Sequence, residues 1–126
     1  MRYILYSLLF LLSLLYIGCA PPISRSFGTQ EGLASYYSTE FHGRKTSSGE
    51  MFDKDALTAA HRTYPFGTIL LVTNQKNGKQ VEVKVNDRGP VKPERIIDLS
   101  YGAAKEIDMV RDGLVRVRLE VVEWGK

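Results

Sequence analysis

Hydrophobic and polar residues alternate along several stretches of the chain, which is the pattern of strands that bury one face. Three valines alternate with polar residues in segment 80–85, and four apolar residues do so in segment 114–124. Segment 68–73 is rich in β-branched residues, and segment 96–99 is a short apolar run that contains one carboxylate. We predict a strand in each of these four segments, and the chain is mainly β from residue 32 onward.

Two other segments have helical character. Segment 55–62 is rich in alanine, and segment 100–107 begins with Ser100, a residue type that caps helix N-termini well. Asn77-Gly78 lies between two predicted strands and indicates a hairpin, because both residue types tolerate a positive φ angle. Several short strands with two short helices predict a small closed or partly open barrel.

The first 26 residues follow a different pattern. Arg2 precedes an apolar run over residues 3–17, and a small residue, Gly18, follows it. This is the layout of a secretory signal, and the run is shorter than the ~20 residues of a membrane-spanning helix. Residues 20–26 form a polar, proline-containing tether. We therefore predict that the domain is exported and held at a membrane.

Cys19 is the only cysteine, which excludes an internal disulfide framework and a multi-cysteine zinc site. Gly18-Cys19 resembles the lipobox of bacterial lipoproteins, in which the cysteine is lipidated and becomes the mature N-terminus. The resemblance implies a signal peptide over residues 1–18, a lipid anchor on Cys19 and a tether over residues 19–31. The alternative is an uncleaved N-terminal anchor in which Cys19 has no role.

Length and charge narrow the choice of function. A chain of 126 residues allows one domain of about 100 residues, which excludes a multidomain enzyme and a repeat array. The 17 basic residues exceed the 14 acidic ones by only three, and they are spread evenly, so the chain is not a nucleic-acid binder. The hydrophobic fraction of 44% fits a folded domain and excludes disorder.

Three carboxylates and a histidine are the candidates for chemistry: Glu50, Asp87, Asp98 and His61. Cleavage of a glycosidic bond needs carboxyl groups whose environments separate their pKa values, because one of them must carry a proton near neutral pH. Asp98 lies between Ile97 and Leu99, and an apolar setting favours the protonated form. The residues alone do not decide which carboxylate is the acid.

Each of these residues also has a purely structural interpretation. Asp87 fits a turn residue, Asp98 a helix cap, Glu50 a solvated loop charge, and His61 a packed histidine. A zinc site built from His42, His61 and a carboxylate lacks a recognised ligand spacing.

Taken together, the motifs between residues 32 and 123 resemble the rare lipoprotein A family of septal-ring lytic transglycosylases. They are GLASYY at 32–37, FHGRKT at 41–46, GE at 49–50, AAH at 59–61, PFGT at 65–68, VTN at 72–74, NG at 77–78, NDRGP at 86–90 and IDLS at 97–100. The resemblance implies a six-stranded double-psi β-barrel with short helices over residues 32–124. It also implies cleavage of the β-1,4 bond between N-acetylmuramic acid and N-acetylglucosamine, with a 1,6-anhydro end, on glycan strands that lack stem peptides.

The same resemblance implies roles for individual residues. Glu50, His61 and Asp87 match functionally important residues of the family, and Asp98 matches, by looser analogy, the acid of other double-psi barrels that act on glycans. No cofactor and no metal is implied. We expect six residues to bind substrate, with Arg88 binding a substrate carboxylate or holding Asp87: Tyr37, His42, Arg44, Thr46, Asn86 and Arg88.

The implied partners are peptidoglycan glycan strands, a membrane reached through the lipid anchor, and division-site proteins. The implied location is the bacterial envelope, on the cell membrane or the outer membrane, facing the periplasm. Many family members continue into a C-terminal glycan-binding domain, whereas this chain ends at Lys126 after the last predicted strand, so we expect a catalytic barrel alone. Two alternative functions are a non-catalytic peptidoglycan-binding or expansin-like wall-loosening lipoprotein, and a structural envelope lipoprotein.

Overall fold

A computed structural model describes residues 28–126. The predicted signal peptide, Cys19 and the tether up to residue 27 lie outside the described residues. The strands and the one α-helix of the described part are β1 (Thr29–Tyr36), β2 (Thr58–Ala60), β3 (Ile69–Asn74), β4 (Gln80–Asp87), β5 (Arg95–Leu99), α1 (Tyr101–Glu106) and β6 (Val115–Glu123). A single 3₁₀ turn covers Thr39–Phe41. Because β1 begins at Thr29, the end of the predicted tether, residues 29–31, belongs to the barrel.

The six strands close into a barrel in the order β1-β5-β2-β4-β3-β6. β1 pairs with β5, and β2 with β4, in parallel, and the other four pairings are antiparallel. This closed sheet confirms the predicted six-stranded, mainly β barrel. No helix within residues 28–126 is long and apolar enough to cross a membrane.

The alternating residues fill the barrel interior as the pattern predicts. In β4 the three valines are buried, and in β6 Val115, Val117 and Leu119 are buried while the intervening arginines are exposed. The helix α1 adds Ala103 and Ala104 to this core. Its predicted N-cap is confirmed, since the Ser100 hydroxyl accepts a hydrogen bond from the Ala103 N–H at 3.1 Å.

The helix predicted over residues 55–62 is wrong, because β2 lies there. Thr58, Ala59 and Ala60 are all buried, between β4 on one side and β5 on the other. The two neighbouring strands satisfy the backbone groups of this segment, and such tertiary pairing overrides the intrinsic helix propensity of alanine. The predicted hairpin is confirmed, since loop 75–79 joins β3 to the antiparallel β4.

A bulge at the end of β4 determines where its last side chains point. Ala59 pairs with Val85, but the next residue of β2, Ala60, pairs with Asp87, so Asn86 has no partner in this ladder. A bulge of this kind bends a strand and redirects its side chains, often beside a functional site. Here Asn86 is buried, and Asp87 lies level with Ala60.

Candidate active site

Asp87 and Asp98 lie in one row across the barrel wall. Asp98 on β5 is paired with Ser35 on one side and with Ala60 on the other, and Ala60 is also paired with Asp87. Side chains at paired positions point to the same face of a sheet. Adjacent strands are about 4.8 Å apart, so the single strand β2 separates the two aspartates. Ser35 and Ala60 are small, which leaves the two carboxyl groups as the largest side chains of this row.

Asp87 accepts three hydrogen bonds. The Tyr37 hydroxyl donates to Oδ2 at 2.6 Å, and the backbone N–H groups of Ser47 and Arg88 both donate to Oδ1 at 2.9 Å. Burial of the carboxyl group acts to raise its pKa, but the bonds from Tyr37, Ser47 and Arg88 outweigh burial and lower the pKa of Asp87 below its ordinary value. Asp87 is therefore a carboxylate at neutral pH.

The charges of both aspartates act on the Tyr37 hydroxyl. Burial, the hydrogen bond to Asp87 and the charges of Asp87 and Asp98 all raise the pKa of Tyr37 far above its ordinary value. The phenol thus stays protonated and donates to Asp87. Its ring packs against Phe52 with centroids 4.9 Å apart, and its backbone N–H donates to the Leu99 carbonyl at 2.9 Å.

Asp98 is half-buried and has fewer partners than Asp87. The Ser35 hydroxyl donates to Asp98 Oδ1. The other oxygen, Oδ2, faces Gly89, where an added Cβ would lie 3.6 Å from it. Gly89 has a φ of +139°, a value that L side chains rarely adopt. Within the part of the chain that the structure describes, Asp98 forms no ion pair.

Glu50 is ion-paired and does not contact Asp87 or Asp98. Its carboxylate lies 3.0 Å from Lys84 Nζ, and Asn86 Nδ2 donates to it at 3.5 Å. The hydrogen bond from Lys84 lowers the pKa of Glu50, and burial, which acts in the opposite direction, does not reverse this. Since half of the side chain is exposed, Glu50 is a solvated carboxylate at neutral pH.

The backbone around Glu50 holds the loop that contacts Asp87. The Glu50 carbonyl accepts hydrogen bonds from the N–H and from the hydroxyl of Thr46, both at 2.8 Å. This turn presents the Ser47 N–H to Asp87. Ser48 adds a further link to β4, because its N–H donates to the Asn86 carbonyl at 3.2 Å.

His61 is buried and lies directly after β2. Its Nδ1 accepts hydrogen bonds from the N–H groups of Thr63 and Tyr64 at 3.2 and 3.1 Å, so the ring proton is on Nε2, which lies 3.0 Å from Gln30 Oε1. Burial, followed by the positive charges of Arg88 and Arg62, lowers the pKa of His61 to about 4. The ring is therefore neutral at pH 7.

His61 contacts Asp87 through the main chain. The His61 N–H donates to the Asp87 carbonyl at 3.1 Å, which extends the pairing of β2 with β4 by one residue. Within residues 28–126, the imidazole forms no hydrogen bond with a carboxylate. The link between His61 and Asp87 is therefore made by the main chain, and the imidazole has no hydrogen bond to the Asp87 carboxylate.

The Arg88 guanidinium points away from the Asp87 carboxylate. Its Nη1 donates to the carbonyls of His61 and Tyr64 at 3.1 and 2.8 Å, and its Cζ lies 3.9 Å from the centroid of the Phe66 ring. Only the backbone N–H of Arg88 contacts the Asp87 carboxylate. His42 is also distant from this contact network: it is exposed, and its Nδ1 accepts a hydrogen bond from the Lys54 N–H at 3.2 Å.

A groove of about 270 Å³ opens beside Asp87. Its lining combines aromatic rings, two cations and one carboxylate: Tyr37, Phe41, Arg44, Lys45, Thr46, Phe52 and Asp87. Of the residues expected to bind substrate, the groove brings together Tyr37, Arg44 and Thr46. Phe41, Lys45 and Phe52 are not among the expected substrate-binding residues, although Phe41 and Lys45 belong to the FHGRKT motif at 41–46.

A second cavity, of about 450 Å³, is larger but contains none of the candidate residues. Its lining comes from β1, β6 and the loops beside them: Leu33, Gln75, Lys76, Asp112, Leu114, Val115 and Arg116. We assign the site to the smaller groove because Asp87 and its hydrogen-bond network are there. Among the described residues, no three His, Cys, Asp or Glu side chains are arranged to hold a metal ion.

Comparison with known proteins agrees with this geometry. Residues 29–119 match the family model for a double-psi β-barrel domain that is described as lytic transglycolase. The protein named "Endolytic peptidoglycan transglycosylase RlpA" of Campylobacter jejuni is 58% identical over 97 residues, which are 77% of this chain and 35% of that protein. The protein of the same name from Haemophilus influenzae is 48% identical over 97 residues, or 77% of this chain and 34% of that protein.

Two solved structures share the fold at low sequence identity. An expansin from Clavibacter michiganensis superposes with a TM-score of 0.63 at 22% identity, over 79% of this chain and 52% of the expansin. A Streptomyces papain inhibitor has the same TM-score and identity, over 79% of this chain and 98% of the inhibitor. The chain spans about a third of the length of the two curated relatives. With most of its length matched by the family model, the chain belongs to the rare lipoprotein A (RlpA) family, and its barrel is of the double-psi type.

Proposed function

We propose that this protein is an endolytic peptidoglycan transglycosylase, which cleaves the β-1,4 bond between N-acetylmuramic acid and N-acetylglucosamine and leaves a 1,6-anhydro end. The observation that carries the proposal is the pair of aspartates, Asp87 and Asp98, held in one row beside a groove but in unlike environments. The curated relatives carry the name of this activity.

The reaction needs one group that first gives and then takes a proton. An acid protonates the glycosidic oxygen, and the bond from that oxygen to the anomeric carbon of the muramic acid breaks. The 6-hydroxyl of the same muramic acid then attacks the anomeric carbon and returns its proton to the carboxylate. No water is consumed, and the acid is regenerated.

We assign the acid and base role to Asp98. Asp87 and Glu50 are each held ionised by donors, so neither is ready to give a proton. Asp98 lacks an ion pair within the described residues, and its Oδ2 faces the space left by Gly89. The ionised Asp87 then stabilises the positive charge that develops on the sugar ring.

Glu50 and His61 act as positioning residues in this assignment. The Glu50 carbonyl holds the turn that presents the Ser47 N–H to Asp87, and the Glu50 carboxylate ties this turn to Lys84 and Asn86 of β4. The His61 N–H donates to the Asp87 carbonyl and so positions the Asp87 backbone. Both residues therefore influence the reaction through Asp87.

Two cations in the groove support a preference for glycan strands without stem peptides. Arg44 and Lys45 are exposed lining residues, and neither forms an ion pair within residues 28–126. The lactyl group of muramic acid carries a free carboxylate only when no stem peptide is attached to it. A carboxylate of this kind suits a site with two cations, and the exposed ring of Phe41 provides an apolar surface for a sugar ring.

The substrate also indicates the location. Peptidoglycan lies in the bacterial envelope, so we propose that the barrel faces the periplasm and that lipid on Cys19 attaches it to a membrane. Glycan strands are then its substrate. The resemblance to septal-ring enzymes supports division-site proteins as its partners.

The experiment incubates the full-length protein, in a mild non-ionic detergent, with purified glycan strands that carry stem peptides and with strands stripped of them. Mass spectrometry of the products measures 1,6-anhydro ends. We expect new anhydro ends, with faster formation on the stripped strands. The absence of new anhydro ends on both substrates would overturn the proposal. New reducing ends would indicate hydrolysis, and binding without cleavage would favour the non-catalytic alternative.

A further inference from the structure

An aromatic surface lies next to the site but outside the groove. We infer that Trp124 and Tyr64 form an additional sugar-binding subsite, which contacts the glycan strand beyond the residues that line the groove. This inference rests on the proposed function for the identity of the ligand. Trp124 follows β6 and is 45% exposed, and Tyr64 is half-buried beside it.

The two rings are held rigidly. They meet edge to face, with centroids 5.2 Å apart and an angle of 84° between their planes. On its other side, Tyr64 stacks on the buried His61 ring at 3.8 Å. An added Cβ on Gly28 would lie 3.5 Å from Trp124 Cζ2, so the start of β1 packs against the indole. Rings fixed in this way lose little conformational entropy when a ligand binds.

The chain after Trp124 is anchored as well. The Gly125 N–H donates to the Thr68 hydroxyl at 3.0 Å, and an added Cβ on Gly125 would overlap the Phe66 carbonyl. This contact holds the end of β6 against the segment that precedes β3. The indole is therefore part of the folded barrel and not of a free terminus.

Arg88 connects this surface to Asp87. It follows Asp87 directly, its guanidinium lies over the Phe66 ring, and its Nη1 donates to the Tyr64 carbonyl. The side chain is exposed, and the described contacts use Nη1 alone. Its remaining guanidinium N–H groups form no hydrogen bond within residues 28–126, which leaves donors for a ligand.

Exposed aromatic rings next to charged donors are suited to a sugar, whose ring has an apolar face and an edge of hydroxyl groups. The surface is linked to the groove through two consecutive residues, since Asp87 lines the groove and the Arg88 side chain contacts Tyr64. A linear glycan that passes Asp87 on this side would reach Arg88, then Tyr64 and Trp124.

Trp124 is the only tryptophan of the chain, so emission excited selectively at tryptophan, and not at the seven tyrosines, reports on this surface. The full-length Asp98→Asn protein in detergent is titrated with stripped glycan strands, which removes turnover from the measurement. We expect a saturable change in the tryptophan emission. Emission that does not respond, under conditions where calorimetry shows binding of the strands, would overturn the inference.

Kinetics provide the second measurement. In the otherwise unchanged protein, Trp124→Ala should raise KM for long stripped strands about five- to tenfold, with kcat changed by less than a factor of two. Trp124→Phe should restore most of the affinity. Val122→Ala is the matched control, because Val122 is an exposed apolar residue of β6 that takes no part in the aromatic surface.

The outcomes separate the two proposals. If the emission of Asp98→Asn responds to glycan but the unchanged protein forms no anhydro product, the proposed function is overturned and the subsite stays in place. Anhydro products with an unchanged KM in a folded Trp124→Ala protein would overturn the subsite and leave the proposed function in place. Thermal unfolding followed by circular dichroism establishes that each variant is folded.

Discussion

The Tyr37 hydroxyl donates a 2.6 Å hydrogen bond to Asp87 Oδ2, and this bond joins the residue that follows the first strand to the last residue of the fourth. The donor remains protonated because burial and the nearby carboxylates raise the pKa of Tyr37. The acceptor remains ionised because this bond is the largest of the influences that lower the pKa of Asp87. Each partner thus maintains the charge state that the other requires.

Tyr37→Phe keeps the ring and removes this donor. We expect kcat/KM at neutral pH to fall about tenfold, the effect of losing one hydrogen bond to a charged group. The pKa of Asp87 should rise, so activity should be lost at a higher pH as the medium is acidified. The pH profile of kcat/KM measures both effects.

Tyr36→Phe is the control for this change. The Tyr36 hydroxyl donates to the Val110 carbonyl at 2.9 Å, at a distance from Asp87, so its loss should leave the acid limb of the profile unchanged. An acid limb that also stays in place in Tyr37→Phe would contradict the role assigned to this hydroxyl.

Asp98→Asn keeps the shape of the side chain but cannot supply a proton. We expect the rate of anhydro-end formation to fall about 10²- to 10⁴-fold, the usual contribution of a general acid or base. KM should change little. Asp108→Asn is the matched control, since Asp108 is exposed and asparagine tolerates its φ of +53°. If Asp87→Asn abolished the reaction and Asp98→Asn did not, the roles of the two aspartates would have to be exchanged.

Glu50→Gln removes the ion pair with Lys84. Because both side chains are about half exposed, we expect the free energy of unfolding to fall by less than about 1 kcal/mol. The pKa of Glu50 is lowered in the folded state, so its contribution to stability is present at neutral pH and is lost on acidification. The rate should fall by about three- to tenfold, because the Glu50 carboxylate acts only indirectly, by tying the turn at Ser47 to Lys84 and Asn86 of β4.

Urea unfolding and product analysis measure these two effects. The exposed residue Glu94 provides the control variant Glu94→Gln, in which neither quantity should change. A loss of activity as large as that of Asp98→Asn would make Glu50 the acid.

His61 should make the stability of the barrel sensitive to mild acid. Its pKa is about 4 in the folded state and about 6.5 when unfolded, so the unfolded chain binds the proton first as the pH falls. The contribution of His61 to the free energy of unfolding should therefore stay constant above about pH 7 and decrease as the pH falls from about 6.5 to about 4.

Urea unfolding at several pH values tests this dependence. His61→Gln should be less stable at pH 7 but should lose less stability between pH 7 and 4 than the unchanged protein. His42→Gln is the control, because His42 is exposed, and its curve should parallel that of the unchanged protein. A curve for His61→Gln that falls as steeply as the original would contradict the buried neutral imidazole.

Gly89→Ala should affect both folding and activity. At a φ of +139° an alanine is strained, which typically destabilises by about 1–3 kcal/mol. Its Cβ would also lie 3.6 Å from Asp98 Oδ2 and 3.8 Å from the Ala60 Cβ, so it would narrow the space in front of the proposed acid.

Gly113→Ala provides the comparison for Gly89→Ala. Gly113 also has a positive φ, of +72°, but an added Cβ there meets no atom within 4 Å. Gly113→Ala should lose stability and keep kcat, whereas Gly89→Ala should lose both in thermal unfolding and product analysis. Equal kcat values in the two variants would show that the space before Asp98 has no part in the reaction.

The strands in which buried and exposed residues alternate could be predicted from the sequence. In β4 and β6, alternation along the chain directly reflects which side faces the core. β2 has no such pattern, because all three of its residues are buried and small, and only its pairing with β4 and β5 makes it a strand. Local propensity therefore predicted a helix in its place.

The candidate site residues could be selected from the motifs, but their contacts could not be predicted. The sequence separates Tyr37 from Asp87 by 50 positions and Glu50 from Lys84 by 34, so these contacts exist only after the barrel has closed. The direction of the Arg88 guanidinium depends in the same way on Phe66 and on the His61 carbonyl. The bulge at Asn86, which brings Asp87 level with Ala60, leaves no signal in the composition of β4.

The position of Ala60 between the two aspartates has a mechanical consequence. β2 is a short strand that lies between β4 and β5, and its backbone determines how far Asp87 lies from Asp98. The loop over residues 41–52, in contrast, supplies five of the seven residues that line the groove, and it is exposed over most of its length. The spacing of the two aspartates is thus set by a buried, paired strand, while most of the groove lining belongs to an exposed loop. If these residues act as proposed, substitutions in that loop can alter which glycan strands are bound without altering the separation of Asp87 and Asp98.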